Sequence, residues 1–145
     1  MTSVEAILNK KPKGVESVTS NTSVREALRI MASKNIGSVV VMDDGVYLGI
    51  LTERDYARKV ILQDKTSTNT VAGDIMSTNL PSVKPKDSHE NCMALMDKHN
   101  VRYLPVFDGG DLVGIISLTD VIHATVEQQK ATIGELQNFI SSNFS

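Results

Sequence analysis

The chain has 145 residues, with 41% hydrophobic and 22% charged residues and a formal net charge of -2. This composition is ordinary for a soluble globular protein and provides no basic field to draw nucleic acid or anionic membrane. The single cysteine, Cys92, cannot form an internal disulfide, which points to a reducing compartment.

Met1–Lys11 lacks the apolar core of a secretory signal. No apolar run reaches the ~18 residues that span a bilayer. A soluble, cytoplasmic chain with no nucleic-acid or membrane partner is expected; 4% aromatic content without Trp also argues against a platform for stacking single strands. Ala6-Ile-Leu8 is a short apolar cluster, and Val18-Thr-Ser reads as a short strand. Thr22 or Ser23 then caps a helix on which Val24, Ala27, Leu28, Met31 and Ala32 recur at helical spacing. Gly37–Met42 is a β-branched strand, Asp43-Asp-Gly45 a hairpin turn, and Val46–Leu51 the return strand. Thr52-Glu-Arg-Asp55 opens a second helix with the pattern of a capping box. Leu62–Thr70, rich in Ser, Thr and Asn, reads as a linker without core signal, and Asp74-Ile-Met76 as the start of a short helix leading into the second half of the chain.

The same order then returns. Laid on itself at a constant offset, Val18–Asp55 matches Val83–Asp120 without a gap. Identical pairs are Val18/Val83, Ser23/Ser88, Met31/Met96, Asn35/Asn100, Val41/Val106, Asp43/Asp108, Gly45/Gly110, Gly49/Gly114, Ile50/Ile115 and Asp55/Asp120. In the second copy Cys92, Met93, Leu95 and Met96 supply the helix stripe, and Ser117-Leu-Thr-Asp120 opens the last helix. Pro105 lacks an N–H and marks an edge or irregular strand. His89, His99 and His123 lack metal spacing and read as surface or helix-end residues, and Cys92 as a buried thiol. Each copy is a βαββα unit that cannot bury both faces alone, so two copies are expected to pack with pseudo-twofold symmetry and a pair of clefts. Ile133, Leu136, Phe139 and Ile140 fall at helical spacing in the tail, which either covers its own module or makes a dimer contact.

The residues Asn35-Ile-Gly-Ser-Val-Val-Val and Gly49-Ile-Leu-Thr-Glu-Arg-Asp55, with Asn100-Val-Arg-Tyr-Leu-Pro-Val106 and Gly114-Ile-Ile-Ser-Leu-Thr-Asp120, resemble the CBS domain. The tandem pair resembles a Bateman module, and Thr52–Leu62 is similar to the small stand-alone bacterial members. The expected domains are 6–62, 71–130 and a C-terminal amphipathic helix over 131–145. The resemblance implies a non-catalytic regulatory homodimer signalling energy or redox state to an effector protein. It implies adenosine ligands such as AMP, ADP, ATP, NAD or S-adenosylmethionine in clefts between the copies. The hydroxyl and the acid of each [ST]-x-x-D box would hold ribose or phosphate.

On that reading Thr52, Asp55, Ser117 and Asp120 are the polar site residues, since carboxylates accept strongly from ribose hydroxyls. Free N–H groups at the helix starts favour phosphate oxygens. Ile36, Ile50, Val101 and Ile115 are candidate walls for adenine. Arg54 and Arg58 are candidate phosphate cations of copy one; copy two has Thr119 and His123 there. Arg102 stands where copy one has Gly37, and the family's crossed pattern would bring it toward Asp55. The expectation is two unequal clefts, the Asp55 one richer in cations. Three plainer readings stay open: capping boxes without ligand, solvated arginines, and an adaptor that binds no nucleotide. A nucleotide-acting enzyme has no Gly-rich loop, nucleophile–base pair or zinc cluster to support it.

Overall fold

The computed structural model describes residues 2–144. Its elements are α1 (Val4–Asn9), β1 (Ser17–Val18), α2 (Val24–Lys34), β2 (Ser38–Asp43), β3 (Val46–Thr52), α3 (Glu53–Lys59), a 3-10 turn (Ile61–Gln63), α4 (Ala72–Ile75), α5 (His89–His99), β4 (Tyr103–Asp108), β5 (Asp111–Ser117) and α6 (Leu118–Phe144). The mixed α/β fold carries the helix, hairpin and helix of the repeat twice. One compact unit is Gly14–Leu80; the other joins the residues up to Lys13 to those from Pro81 onward.

The short leading helices are therefore exchanged. α4, at the head of copy two in sequence, belongs to the unit of copy one. Ala72 N–H donates to the Thr22 carbonyl at 2.8 Å and Gly73 N–H to the Ser20 carbonyl at 2.9 Å. Ser77 and Ile50 exchange backbone hydrogen bonds at 2.8 and 3.0 Å. α1 belongs to the unit of copy two, where Val4 N–H donates to the Asp87 carbonyl at 2.8 Å and Glu5 N–H to the Pro85 carbonyl at 2.9 Å. Sequence order suggests the opposite pairing for both clusters. Helices this short do not hold alone in water, and each is fixed by the loop that precedes a longer helix. The linker contributes as well: Thr70 is buried, and the carbonyls of Thr70 and Ser67 take the first N–H groups of α2.

Several identical pairs of the repeat now have physical reasons. Ser23 and Ser88 are the N-caps of α2 and α5, each accepting an N–H at 3.1 Å. Asn35 and Asn100 end those helices in the left-handed conformation, at φ 54° and 52°, which Asn tolerates better than most residues. Asp44-Gly45 and Gly109-Gly110 have positive φ at both positions, the form a tight hairpin needs. Gly49 and Gly114 sit where the exchanged segments come closest. A Cβ on Gly49 would lie 2.6 Å from the Ser77 carbonyl oxygen, and one on Gly114 2.6 Å from Leu8 Cδ2.

β1, β2 and β3 form a three-stranded sheet, whereas copy two has only β4 and β5, with Val83 bridging to Val106. Pro105 accounts for the difference. In copy one Val40 N–H donates to the Glu16 carbonyl at 3.0 Å; its counterpart Pro105 has no N–H to give, so the parallel pairing shrinks to one bridge.

Each unit has its own core. Val18, Val24, Ala27, Met31, Val39, Val41, Leu51, Val60, Ala72 and Ile75 form one. Val4, Ile7, Val83, Cys92, Met96, Leu104, Val106, Ile116, Val121 and Ala124 form the other. Two readings of α5 need correction. His89 opens the helix but is only 3% exposed, its Nδ1 3.3 Å from the Thr2 backbone nitrogen. Met93 is 40% exposed, because the buried stripe is the narrow one of His89, Cys92 and Met96. The helix expected over 131–145 is the distal part of the unbroken α6, with residue 145 outside the described residues.

Candidate functional site

Each β-hairpin delivers its chain end to a reciprocal cap. In copy one β3 ends on Thr52, whose hydroxyl oxygen accepts the Asp55 N–H at 3.0 Å. Asp55 Oδ2 in turn accepts from the Thr52 N–H and hydroxyl, each at 3.0 Å. Copy two repeats the box: Ser117 Oγ accepts the Asp120 N–H at 3.1 Å, and Asp120 Oδ2 accepts the Ser117 N–H at 2.8 Å. Such boxes satisfy two otherwise orphaned donors of a helix start.

The two carboxylates differ in what else they hold. Asp55 is 5% exposed. Its Oδ1 accepts from Ser77 Oγ at 2.9 Å and lies 3.0 Å from Lys59 Nζ. Lys59 also donates to the Ile75 carbonyl at 2.9 Å, tying α3 to the end of α4. With both oxygens doubly engaged, the acceptor capacity of Asp55 is used up. Asp120 takes its cation from the exchanged N-terminal segment, with Lys11 Nζ donating to Oδ2 at 2.8 Å and to the Ile115 carbonyl at 2.8 Å. Ala124 and Pro12 stand where Lys59 and Ser77 stand in copy one. Among the described residues nothing donates to Asp120 Oδ1, and the side chain is 17% exposed.

The residues singled out from sequence gather in two groups. In copy one Ser38 pairs with Thr52 across the hairpin, and the Gly37 carbonyl takes the Glu53 N–H at 3.2 Å. This places Ile36, Gly37, Thr52 and Asp55 at one end of the hairpin, with Ile50 buried on β3. Arg54 is half-buried on the first turn of α3, and Arg58 is exposed one turn on. In copy two Tyr103 pairs with Ser117, and the Arg102 carbonyl takes the Leu118 N–H at 2.9 Å. Val101, Arg102, Ile115, Ser117 and Asp120 therefore lie at the matching end; Val101 packs on the core and the Arg102 side chain is exposed.

Sequence reasoning missed Lys59, Ser77 and Lys11. Lys59 was within reach of it, four residues beyond Asp55 on one helix. Ser77 and Lys11 lie on exchanged segments and carry no local signal. Elsewhere, hydrogen bonds from the Ser20 side chain and backbone hold the Asp43 carboxyl below its ordinary range. Burial pushes the Tyr47 phenol up. Burial, reinforced by Asp87, pushes the Cys92 thiol up to about 11, so it is inert at neutral pH. Among the described residues no three His, Cys, Asp or Glu side chains gather to hold a metal, and no helix is long and apolar enough to cross a membrane.

Known proteins share this arrangement. The CBS domain model matches residues 4–62 and 72–127. The structure of a protein with CBS domains from Burkholderia ambifaria superposes with a TM-score of 0.84 at 44% identity, covering 88% of this chain and 96% of that one. YhcV, a CBS domain-containing protein of Bacillus subtilis, is 37% identical over 107 residues, 74% of this chain and 76% of its own length. A mitochondrial CBS domain-containing protein of Arabidopsis thaliana, CBSX3, is 30% identical over 99% of this chain and 74% of its own. Tandem CBS domains are typically regulatory and nucleotide-binding rather than catalytic. The chain, carrying two such domains in tandem, belongs to the CBS-domain family.

Proposed function

We propose that the chain is a regulatory module that binds an adenine nucleotide of the AMP, ADP, ATP or NAD class and signals to an effector protein as a homodimer. The observation that carries this is the unfilled acceptor on Asp120. A partly exposed carboxylate oxygen without a donor, at the start of a long helix, suits the vicinal hydroxyls of a ribose. Asp55 has no acceptor to spare unless Ser77 or Lys59 lets go, so its role is to brace copy one. Within copy one, Arg54 on the first turn of α3 and Arg58 on its last turn are the cations offered to phosphate groups. Arg102→Ala tests which of the two boxes that guanidinium serves.

The saturation of Asp55 also favours a second reading, an adaptor whose boxes are caps only. Thermal unfolding with AMP, ADP, ATP and NAD decides between them, together with native mass spectrometry of the purified protein. A ligand at 100 times its Kd stabilises the fold by about 2.7 kcal/mol. A raised Tm with at least one nucleotide, or a retained nucleotide mass, is expected. No shift and no retained mass would overturn the nucleotide reading and leave the boxes as caps.

A further inference from the structure

α6 runs unbroken from Leu118 to Phe144, yet only its first turns pack on its own unit, through Val121 and Ala124. From Gln129 to Ser142 no residue is buried. Ile133, Leu136, Phe139 and Ile140 are 54, 57, 61 and 55% exposed. A Cβ on Gly134 would meet nothing within 4 Å. A bare helical arm is marginal in water, and its apolar stripe needs a surface to cover it.

The stripe has a register. Val126, Ile133 and Ile140 recur every seven residues, and Ile122, Gln129 and Leu136 fall between them at alternating steps of four and three. That is a short heptad seam with β-branched Val126, Ile133 and Ile140 at a and Ile122, Gln129 and Leu136 at d; β-branched a residues beside Leu at d favour a parallel two-stranded coiled coil. The flanking e and g positions, His123, Thr125, Lys130, Thr132, Gln137 and Phe139, include no acid. In a parallel pair Thr125 faces Lys130 and Thr132 faces Gln137, so no like charges meet. The exposed apolar side chains of the arm amount to on the order of 600 Å² per chain, so pairing two copies covers about 1,200 Å², the lower end of stable interfaces.

We infer that the distal half of α6 is a dimerisation arm whose partner is the same arm of a second copy, parallel and in register, with Gln129 facing Gln129. The arm is continuous with the helix start that Ser117 and Asp120 cap. The pairing holds whether or not a nucleotide binds.

Cysteine cross-linking of the full chain tests it, in a Cys92→Ala background that copies Ala27 of the first repeat. Ile140→Cys and Ile133→Cys are expected to give disulfide-linked dimers under mild oxidation, and Glu135→Cys, off the seam, is not. Ile133→Lys combined with Ile140→Cys is expected to lose the link. An antiparallel pair would link none of the three positions efficiently. Absence of the link at 133 and 140, or equal linking at 135, overturns the inference. The readout does not depend on any other dimer contact of the module.

Discussion

Lys59 Nζ lies 3.0 Å from Asp55 Oδ1, four residues along the same helix. In copy two the matching carboxylate, Asp120, is met instead by Lys11, from a segment more than a hundred residues away in sequence. The repeat thus keeps a neutralised carboxylate at each helix start while changing where the cation comes from.

Lys59→Met leaves a buried carboxylate without its cation while Ser77 and Thr52 still donate to it. Because Lys59 is itself partly exposed, the loss is expected at about 1–2 kcal/mol rather than that of a wholly buried pair. Urea unfolding monitored by circular dichroism measures it. Lys11→Met at the more open Asp120 is expected to cost less, and the reverse order would contradict the assignment of Asp55 as the brace.

The two repeat glycines are expected to differ in the same way. Gly49→Ala drives a methyl against the Ser77 backbone and is expected to destabilise by about 1–3 kcal/mol. Gly114→Ala meets the far end of the Leu8 side chain, which can move. Leu8→Ala should therefore relieve Gly114→Ala, and no truncation at Ser77 should relieve Gly49→Ala. Melting temperatures of the single and double variants give the comparison.

Cys92 is expected to resist Ellman's reagent in the folded state and react once urea unfolds the chain. Its raised pKa also has a sign. The unfolded thiol ionises near pH 8.5, the folded one at about 11. The stability this group contributes is complete below ~8.5 and is lost as pH rises toward 11. Cys92→Ala is expected to flatten that alkaline decline.

Asp43 shows the opposite sign. With its folded pKa lowered by Ser20, its contribution is present above the unfolded carboxylate pKa and lost as pH falls through the folded value. Ser20→Ala removes the hydroxyl donor, and the Asp43 carboxyl resonance in an NMR titration should then move at higher pH. An unchanged titration would show that the hydroxyl does not set it.

The fold was legible because its information is local. Caps, hairpin glycines and apolar strand runs repeat at one offset, and each has a short-range cause such as the left-handed Asn35 and Asn100. The exchange of α1 and α4 was not legible, since two short apolar clusters carry no mark of which copy they will join. The candidate site divides along the same line. Thr52, Asp55, Ser117 and Asp120 could be named from a motif, but the difference between a saturated and an open carboxylate rests on Lys59, one turn along the same helix, and on Ser77, which reaches its box only through that exchange.

Isothermal titration of AMP, ADP, ATP and NAD into the wild type and Asp120→Asn tests the central claim most directly. The account predicts binding to the wild type, and binding to a normally folded Asp120→Asn weaker by about tenfold or more, the effect of losing roughly 1.4 kcal/mol or more of charge-assisted hydrogen bonding to ribose. Equal affinity in the two proteins, or no binding to the wild type, would contradict it.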